Sequence, residues 1–122
     1  MVQLSRRTVL LAGSARAVTE FGKTERLVVF GTVHAPLIPP LIAAKEFVTA
    51  DHIGEGRFGL NLVCGWNEGE FEMFGATLRD HEARYDYAQE WLDIVKLTWS
   101  PREDFEFDGL STPERKCING PE

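Results

Sequence analysis

Leu27-Val28-Val29-Phe30-Gly31-Thr32-Val33-His34-Ala35-Pro36-Leu37-Ile38-Pro39-Pro40 is the stretch that decides the fold. Residues 27–33 form an apolar, β-rich run without alternation, the pattern of a strand buried on both faces. Pro36, Pro39 and Pro40 then exclude sheet or helix interior, so residues 34–40 read as a loop. Proline tolerates a helix's first turn, so a helix can begin at Pro39 or Pro40. Leu41, Ala44, Phe47 and Val48 follow at the spacing of one helical face. Gly54 and Gly56 end it. Arg57-Phe58-Gly59-Leu60-Asn61-Leu62-Val63 is a second buried strand. Strand, helix and strand in this order predict a βαβ unit with parallel strands and a right-handed crossover.

Downstream, Tyr85, Ala88, Leu92, Val95 and Trp99 repeat at helical spacing, with Glu82, Asp86, Gln89, Asp93 and Lys96 on the other side. Asp80 is the expected N-cap and Pro101 the stop. Residues 67–75 can form a short helix between strand and long helix. Asp104-Phe105-Glu106-Phe107 alternates like a short edge strand.

Upstream, residues 1–23 form an atypical segment, expected to be helical. Ser5-Arg6-Arg7-Thr8-Val9-Leu10-Leu11 is similar to a twin-arginine export signal, and Ala15-Arg16-Ala17 to a cleavage site. The apolar stretch between them is too short for export, so a cytoplasmic location is expected.

The chain has 122 residues and a net charge of −6. Residues 1–26 carry five basic and two acidic groups, so the remainder carries eight and seventeen. That balance argues against nucleic-acid binding, which needs a basic face. No apolar run is long enough to span a membrane. Two cysteines, Cys64 and Cys117, are too few for a disulfide scaffold or a zinc cluster, and the three histidines share no ligand spacing. No metal site is expected.

Size then raises a difficulty. Two parallel strands cannot cover both of their faces alone. A (β/α)8 barrel takes about 250 residues, roughly twice what is here. The expected fold is α/β, an incomplete barrel.

Several blocks carry a family resemblance: Thr24-Glu25-Arg26-Leu27, Gly31-Thr32-Val33-His34-Ala35-Pro36-Leu37, Ala43-Ala44-Lys45 and Asp51-His52-Ile53. Gly56-Arg57-Phe58-Gly59-Leu60-Asn61-Leu62-Val63-Cys64-Gly65-Trp66-Asn67 is the most specific of them. Glu70-Phe71-Glu72-Met73-Phe74-Gly75, Arg84-Tyr85-Asp86-Tyr87 and Glu90-Trp91-Leu92 continue the match. Across about residues 24–110 the chain resembles the bacterial luciferase-like monooxygenases. Within them it is most similar to the branch acting on alkanesulfonates, dimethylsulfone, long-chain alkanes and pyrimidines.

The resemblance implies a partial TIM (β/α)8 barrel over residues 24–122, about strands 3 and 4 with their helices. It implies an oxidoreductase in which reduced FMN, supplied by a partner flavin reductase, lets O₂ oxygenate a small organic substrate. The chain alone is then expected to be inactive, and to be a homo-oligomer or to be completed by another chain. The alternatives are a non-catalytic truncated remnant and one subunit of a split barrel. Two departures stand out. Residues 1–23 do not look like the family's opening strand, and Gly54-Glu55 stands where the family usually has Ser-Gly.

The candidate site residues follow from both readings. Asn61 is the polar exception in an apolar strand; Leu60 and Leu62 would face the helices, and Gly59, Asn61 and Val63 the barrel interior. A buried amide needs partners. Asn61 either caps a backbone group or offers its amide to the flavin edge. Glu70, just past that strand, is either a flavin neighbour or a solvated carboxylate. Arg84 and Tyr85 open the long helix, where an arginine fork and a helix N-terminus suit a phosphate. Their alternative is a surface pairing for Arg84 and a core-facing ring for Tyr85. Thr32 and His34 end the first strand; Thr32 is expected at the cofactor, and His34 is the catalytic candidate as general acid, or else structural. Cys64 reads as a small buried residue, Trp66 as packing over the barrel mouth, and Trp91 and Trp99 as core.

Overall fold

The computed structural model describes residues 9–12, 22–101, 105–107, 109 and 116–117, giving the backbone alone for 9–12 and 116–117. Their chain order is β1 (Val9–Ala12), β2 (Val28–His34), α1 (Pro40–Gly54), β3 (Phe58–Val63), α2 (Glu68–Met73), α3 (His81–Thr98), β4 (Phe105–Glu106) and β5 (Lys116–Cys117). Two compact units divide it: residues 1–33 with 45–61, and residues 34–44 with 62–122.

β1, β2 and β3 form one sheet in that order. β1 runs parallel to β2, with Val9 opposite Val28 and Ala12 opposite Gly31. The Val29 amide donates to Arg57 O and the Ala35 amide to Val63 O, both at 3.0 Å. Both indices rise together, so β2 and β3 are parallel and α1 is their crossover. The expected βαβ unit is there, shifted by one residue at β2.

At residues 9–12, β1 stands where a helix was expected; residues 1–8 and 13–21 lie outside the described residues. Thr8-Val9-Leu10-Leu11 is β-branched and apolar, and the open edge of β2 offers backbone groups that need partners. The Arg6-Arg7 pair and residues 15–17 lie outside the described residues.

Burial along β2 alternates. Val29 and Val33 are buried with Gly31, whereas Val28, Phe30, Thr32 and His34 are half-buried. β3 is half-buried throughout. Neither strand is closed on both faces, which corrects the continuous-run expectation.

In the first unit Val29 packs with Leu27 and Phe58, and Phe58 stacks on Phe47 at 5.4 Å between ring centroids. Arg57 locks the strand entry. Its Nε donates to Gly54 O at 2.7 Å, and its Nη1 to Thr24 O at 3.0 Å and Leu27 O at 3.2 Å. α1 starts at Pro40, as its proline predicts, and buries Ala43, Ala44, Phe47 and Ala50. Val48 is 39% exposed, contrary to expectation. The alanines form a narrower stripe centred on Ala43, Phe47 and Ala50, and Val48 falls beside it. The helix ends in positive φ at Glu55 (51°) and Gly56 (77°).

In the second unit, α3 is capped by Asp80, whose Oδ1 accepts from the Ala83 amide at 2.9 Å. It buries Tyr87, Ala88, Trp91, Ile94 and Val95. Trp91 Nε1 donates to Ile38 O at 2.7 Å. β4 pairs antiparallel with β5, Phe105 opposite Cys117. Among the described residues, no helix is long and apolar enough to cross a membrane.

Candidate functional site

The polar residues singled out in the sequence fall into a pair in the first unit and a group in the second. In the first, two cross-strand contacts define which residues share the half-buried face of β2. The Phe30 ring lies over Gly59 so closely that a Cβ there would sit 2.5 Å from Phe30 Cε1. Two residues on, Asn61 Nδ2 donates to Thr32 Oγ1 at 3.2 Å. The step of two on both strands is the sheet period, so Gly59 is small where an aromatic needs room and Asn61 is polar where a hydroxyl meets it. Asn61 does not meet the backbone-cap reading. Its amide nitrogen is bonded to a side chain, not a backbone group, and among the described residues Oδ1 accepts no hydrogen bond.

His34 ends β2, and its carbonyl accepts from the Leu37 amide at 3.0 Å, which opens the proline turn. Alternation places it after Phe30 and Thr32 along the same face of that strand. Cys64, immediately after β3, is half-buried and in no disulfide.

In the second unit, Asn67 caps α2 by accepting the Glu70 amide on Oδ1 at 3.4 Å. Glu70 is half-buried in the first turn, and the next residue, Phe71, is 1% exposed. Gly65 precedes the helix at φ 85°. A Cβ there would lie 2.3 Å from Phe71 Cζ, so only glycine fits the turn. The Gly65 carbonyl accepts from Arg84 Nη1 at 2.6 Å, which brings the first turn of α3 to the loop after β3. Arg84 Nε is buried without a hydrogen-bond partner among the described residues. No carboxylate pairs with Arg84 among those residues either. A half-buried guanidinium spending one donor on a carbonyl is a cation still able to take an anion.

Tyr85 corrects one alternative. It is 57% exposed, with its ring tilted against His81 at 4.9 Å between centroids, and does not start the core stripe. The stripe passes through Tyr87 and Trp91, about one residue round the helix. For the same reason Leu92 is half-buried and Trp99 is 42% exposed, although Trp99 Nε1 donates to Ala44 O at 3.1 Å. Trp66, expected as packing, is 79% exposed. Met73 and Phe74 are exposed beyond it. Sequence reasoning passed over Gly65 and His81. The first carried a signal, a glycine two residues past a strand end; the second carried none.

Among the described residues, no three His, Cys, Asp or Glu side chains lie close enough to hold a metal. The chemistry offered is neutral hydrogen bonding at Thr32 and Asn61, a cation at Arg84, an exposed phenol at Tyr85 and an imidazole at His34.

Comparison with known proteins supplies the wider frame. The pyrimidine monooxygenase RutA of Pseudomonas syringae pv. syringae (strain B728a) is 35% identical over 102 residues, covering 81% of this chain and 28% of that protein. RutA of Escherichia coli (strain SMS-3-5 / SECEC) is 38% identical over 88 residues, covering 70% of this chain and 24% of that protein. The chain thus spans about a quarter of the curated relatives it matches. Among solved structures, riboflavin lyase (RcaE), with modified FMN and substrate riboflavin, aligns with a TM-score of 0.80 and 21% identity over 90% of this chain and 29% of its own. EDTA monooxygenase from Chelativorans sp. BNC1 aligns with 0.78 and 19% over 86% and 29%. These structures bear out the α/β fold as part of a (β/α)8 barrel. The luciferase-like monooxygenase family profile matches residues 20–121, a wider span than the 24–110 expected. With that match running through the parallel strands, the crossover helix and α3, the chain belongs to the luciferase-like monooxygenase family.

Proposed function

We propose that this chain contributes part of the flavin site of an FMN-dependent monooxygenase. In that reaction reduced FMN supplies two electrons, and one oxygen atom of O₂ enters a small organic substrate. By likeness to the RutA proteins a pyrimidine is the first substrate to try, ahead of sulfonates, sulfones and alkanes. The observation carrying the proposal is the Thr32–Asn61 pair, a neutral amide and hydroxyl set into apolar strands, with the amide oxygen left without a partner.

The residues suit the cofactor. Asn61 and Thr32 would meet the ring edge, which is itself an array of amide-like donors and acceptors. In the second unit taken by itself, Arg84, with no carboxylate partner among the described residues, would suit a phosphate. Tyr85 would add a stacking surface, and Glu70 would accept from a ribityl hydroxyl. His34 would hold or move a proton as general acid. Reduced flavin would come from a partner reductase, in the cytoplasm.

Titration with FMN, followed by flavin fluorescence, tests this. It is run on the full chain and on a full-length relative in which residues 20–121 replace the matching segment. Asn61→Leu keeps the volume and removes one hydrogen-bonding group, so affinity should fall about 5- to 150-fold, the equivalent of about 1–3 kcal/mol. Unchanged titration would return Asn61 to a purely structural role.

A second reading rests on Trp66, Met73 and Phe74, which are 79%, 81% and 67% exposed. Large apolar side chains in water favour cover from another chain. In that reading the chain is one subunit of a split barrel or a homo-oligomer, and is inactive alone. Size-exclusion chromatography should then give a mass above 13.7 kDa. A sharp monomer peak carrying stoichiometric FMN would exclude it.

A further inference from the structure

Resting on the split-barrel reading above, we propose that β1 is an autoinhibitory strand. It fills the edge of β2 that the preceding strand of a complete barrel takes, and it excludes a companion chain's strand until it peels away. In a (β/α)8 barrel every strand is paired on both edges, by the strand before it and the strand after. β3 takes one edge of β2, so the other is the slot for a preceding strand. β1 sits there, parallel, as a barrel strand would.

Two observations mark β1 as a stand-in. Val9–Ala12 lies ahead of residues 20–121, the span that matches the family. Its connection is also wrong for the architecture. From β2 to β3 the chain spends residues 35–57 and a helix, whereas residues 13–27 join β1 to β2, and 22–27 hold no helix. Val9 to His34 falls short of the about 30 residues of a βαβ unit.

The contact is short enough to yield. β1 pairs with Val28–Gly31 and stops before Thr32 and Val33. The Val29 amide donates to Arg57 O, so by alternation the Val28 and Phe30 backbone groups face β1. Phe30 lies opposite Leu11, and in a parallel ladder its N–H and C=O then meet the residues on either side, Leu10 and Ala12. A short edge strand opens at lower free energy than a central pair. A strand long enough to cover Thr32 and Val33 as well would gain bonds that β1 does not make.

The test uses the full chain, wild type and Leu10→Pro, which removes an N–H that β1 turns toward β2. Amide hydrogen exchange is read at Phe30, on the β1 edge, and at Val29, on the β3 edge. The probe is a synthetic peptide with the sequence of the RutA strand that precedes its matched segment, beside a scrambled peptide of the same composition. In wild type both amides should be protected. Leu10→Pro should free Phe30 and leave Val29 protected, which also reports that the β2–β3 pair is folded. The strand peptide should bind Leu10→Pro more tightly than wild type, by the factor that Phe30 is protected in wild type, since both measure the fraction of chains with an open edge. A protection of about 100-fold thus sets an affinity gain of about 100-fold. Bound peptide should restore protection at Phe30.

Free exchange at Phe30 in wild type, with Val29 protected, would overturn the inference without any variant. Equal affinity of the strand peptide for wild type and Leu10→Pro would show that β1 gates nothing, while the split-barrel reading stands. A scrambled peptide that binds as well would overturn strand pairing as the mode of docking. If the opened edge takes neither peptide, the split-barrel reading fails on this side of the sheet and the inference fails with it.

Discussion

Gly65→Ala is the substitution whose cost can be worked most directly from the structure. The residue stands at φ 85°, in the left-handed region, where an L side chain costs about 1–2 kcal/mol. The new methyl would also lie 2.3 Å from Phe71 Cζ and 2.5 Å from Cε2. Phe71 is 1% exposed and cannot swing into solvent, so overpacking adds about 1–3 kcal/mol. The combined loss is about 2–5 kcal/mol. Gly56→Ala is the control: its φ is 77°, but a Cβ there meets nothing within 4 Å, so only the backbone penalty applies. Urea unfolding, followed by tryptophan fluorescence, measures both. With a slope near 2 kcal/mol/M, Gly65→Ala should lower the midpoint by about 1–2.5 M. The two variants should differ by about 1–3 kcal/mol, and adding Phe71→Leu to Gly65→Ala should recover part of the difference. Equal midpoints for Gly65→Ala and Gly56→Ala would refute the claim that the Phe71 ring closes this turn. They would also remove the reason for the chain to hold the Gly65 carbonyl toward Arg84.

The remaining expectations concern single bonds and one strained position. Glu55→Gly should stabilise the chain by about 0.5–1 kcal/mol, because an exposed non-glycine residue is held there at φ 51°; an unchanged or lower urea midpoint would count against strain at that turn. Trp91→Phe should cost about 1–3 kcal/mol by leaving the Ile38 carbonyl without its donor, against under about 1 kcal/mol for Trp99→Phe at a 42% exposed position, and urea midpoints for the pair check the order. Arg57→Lys removes the fork that reaches Gly54, Thr24 and Leu27 carbonyls, so limited proteolysis should cut near residues 24–27 faster than in wild type.

Where backbone chemistry alone dictates an element, the sequence was enough. Pro40 opens α1, Asp80 caps α3, and the βαβ order forces β2 and β3 parallel. Side-chain faces were harder. The α3 stripe was read from Tyr85, Leu92 and Trp99 because those are large and apolar at helical spacing. The helix buries Trp91, Ala88 and Val95 as expected, but it takes Tyr87 and Ile94 in place of Tyr85, Leu92 and Trp99, because a helical pattern turned by about one residue scores almost as well on an aromatic-rich helix. On α1, alanines carry the buried stripe, and alanine gives little periodic signal against Val48. The N-terminal strand was invisible for a different reason. Four residues, Val9–Ala12, form a strand because β2 offers them an edge, and a partner of that kind is absent from any local window.

The candidate site follows the same division. Asn61 announced itself as an amide inside an apolar run, and Thr32 as a hydroxyl near a strand end. Their bond joins residues 29 positions apart. It exists because the register that sets the Val29 amide on the Arg57 carbonyl carries Thr32 to Asn61, three residues further along each strand from Val29 and Phe58. A slip of one residue in that register would place Thr32 beside Leu60 or Leu62 and leave the amide with no side-chain partner. The polar pair is therefore a property of the strand alignment, not of either residue. Arg84 and Gly65 repeat the logic 19 residues apart, with a glycine turn where the first pair has a register. In both cases the partner inside the protein takes one donor and leaves polar capacity over, Oδ1 on Asn61 and the uncompensated charge on Arg84. Polar capacity of this kind, held by the fold and unspent on it, is what a bound cofactor would use.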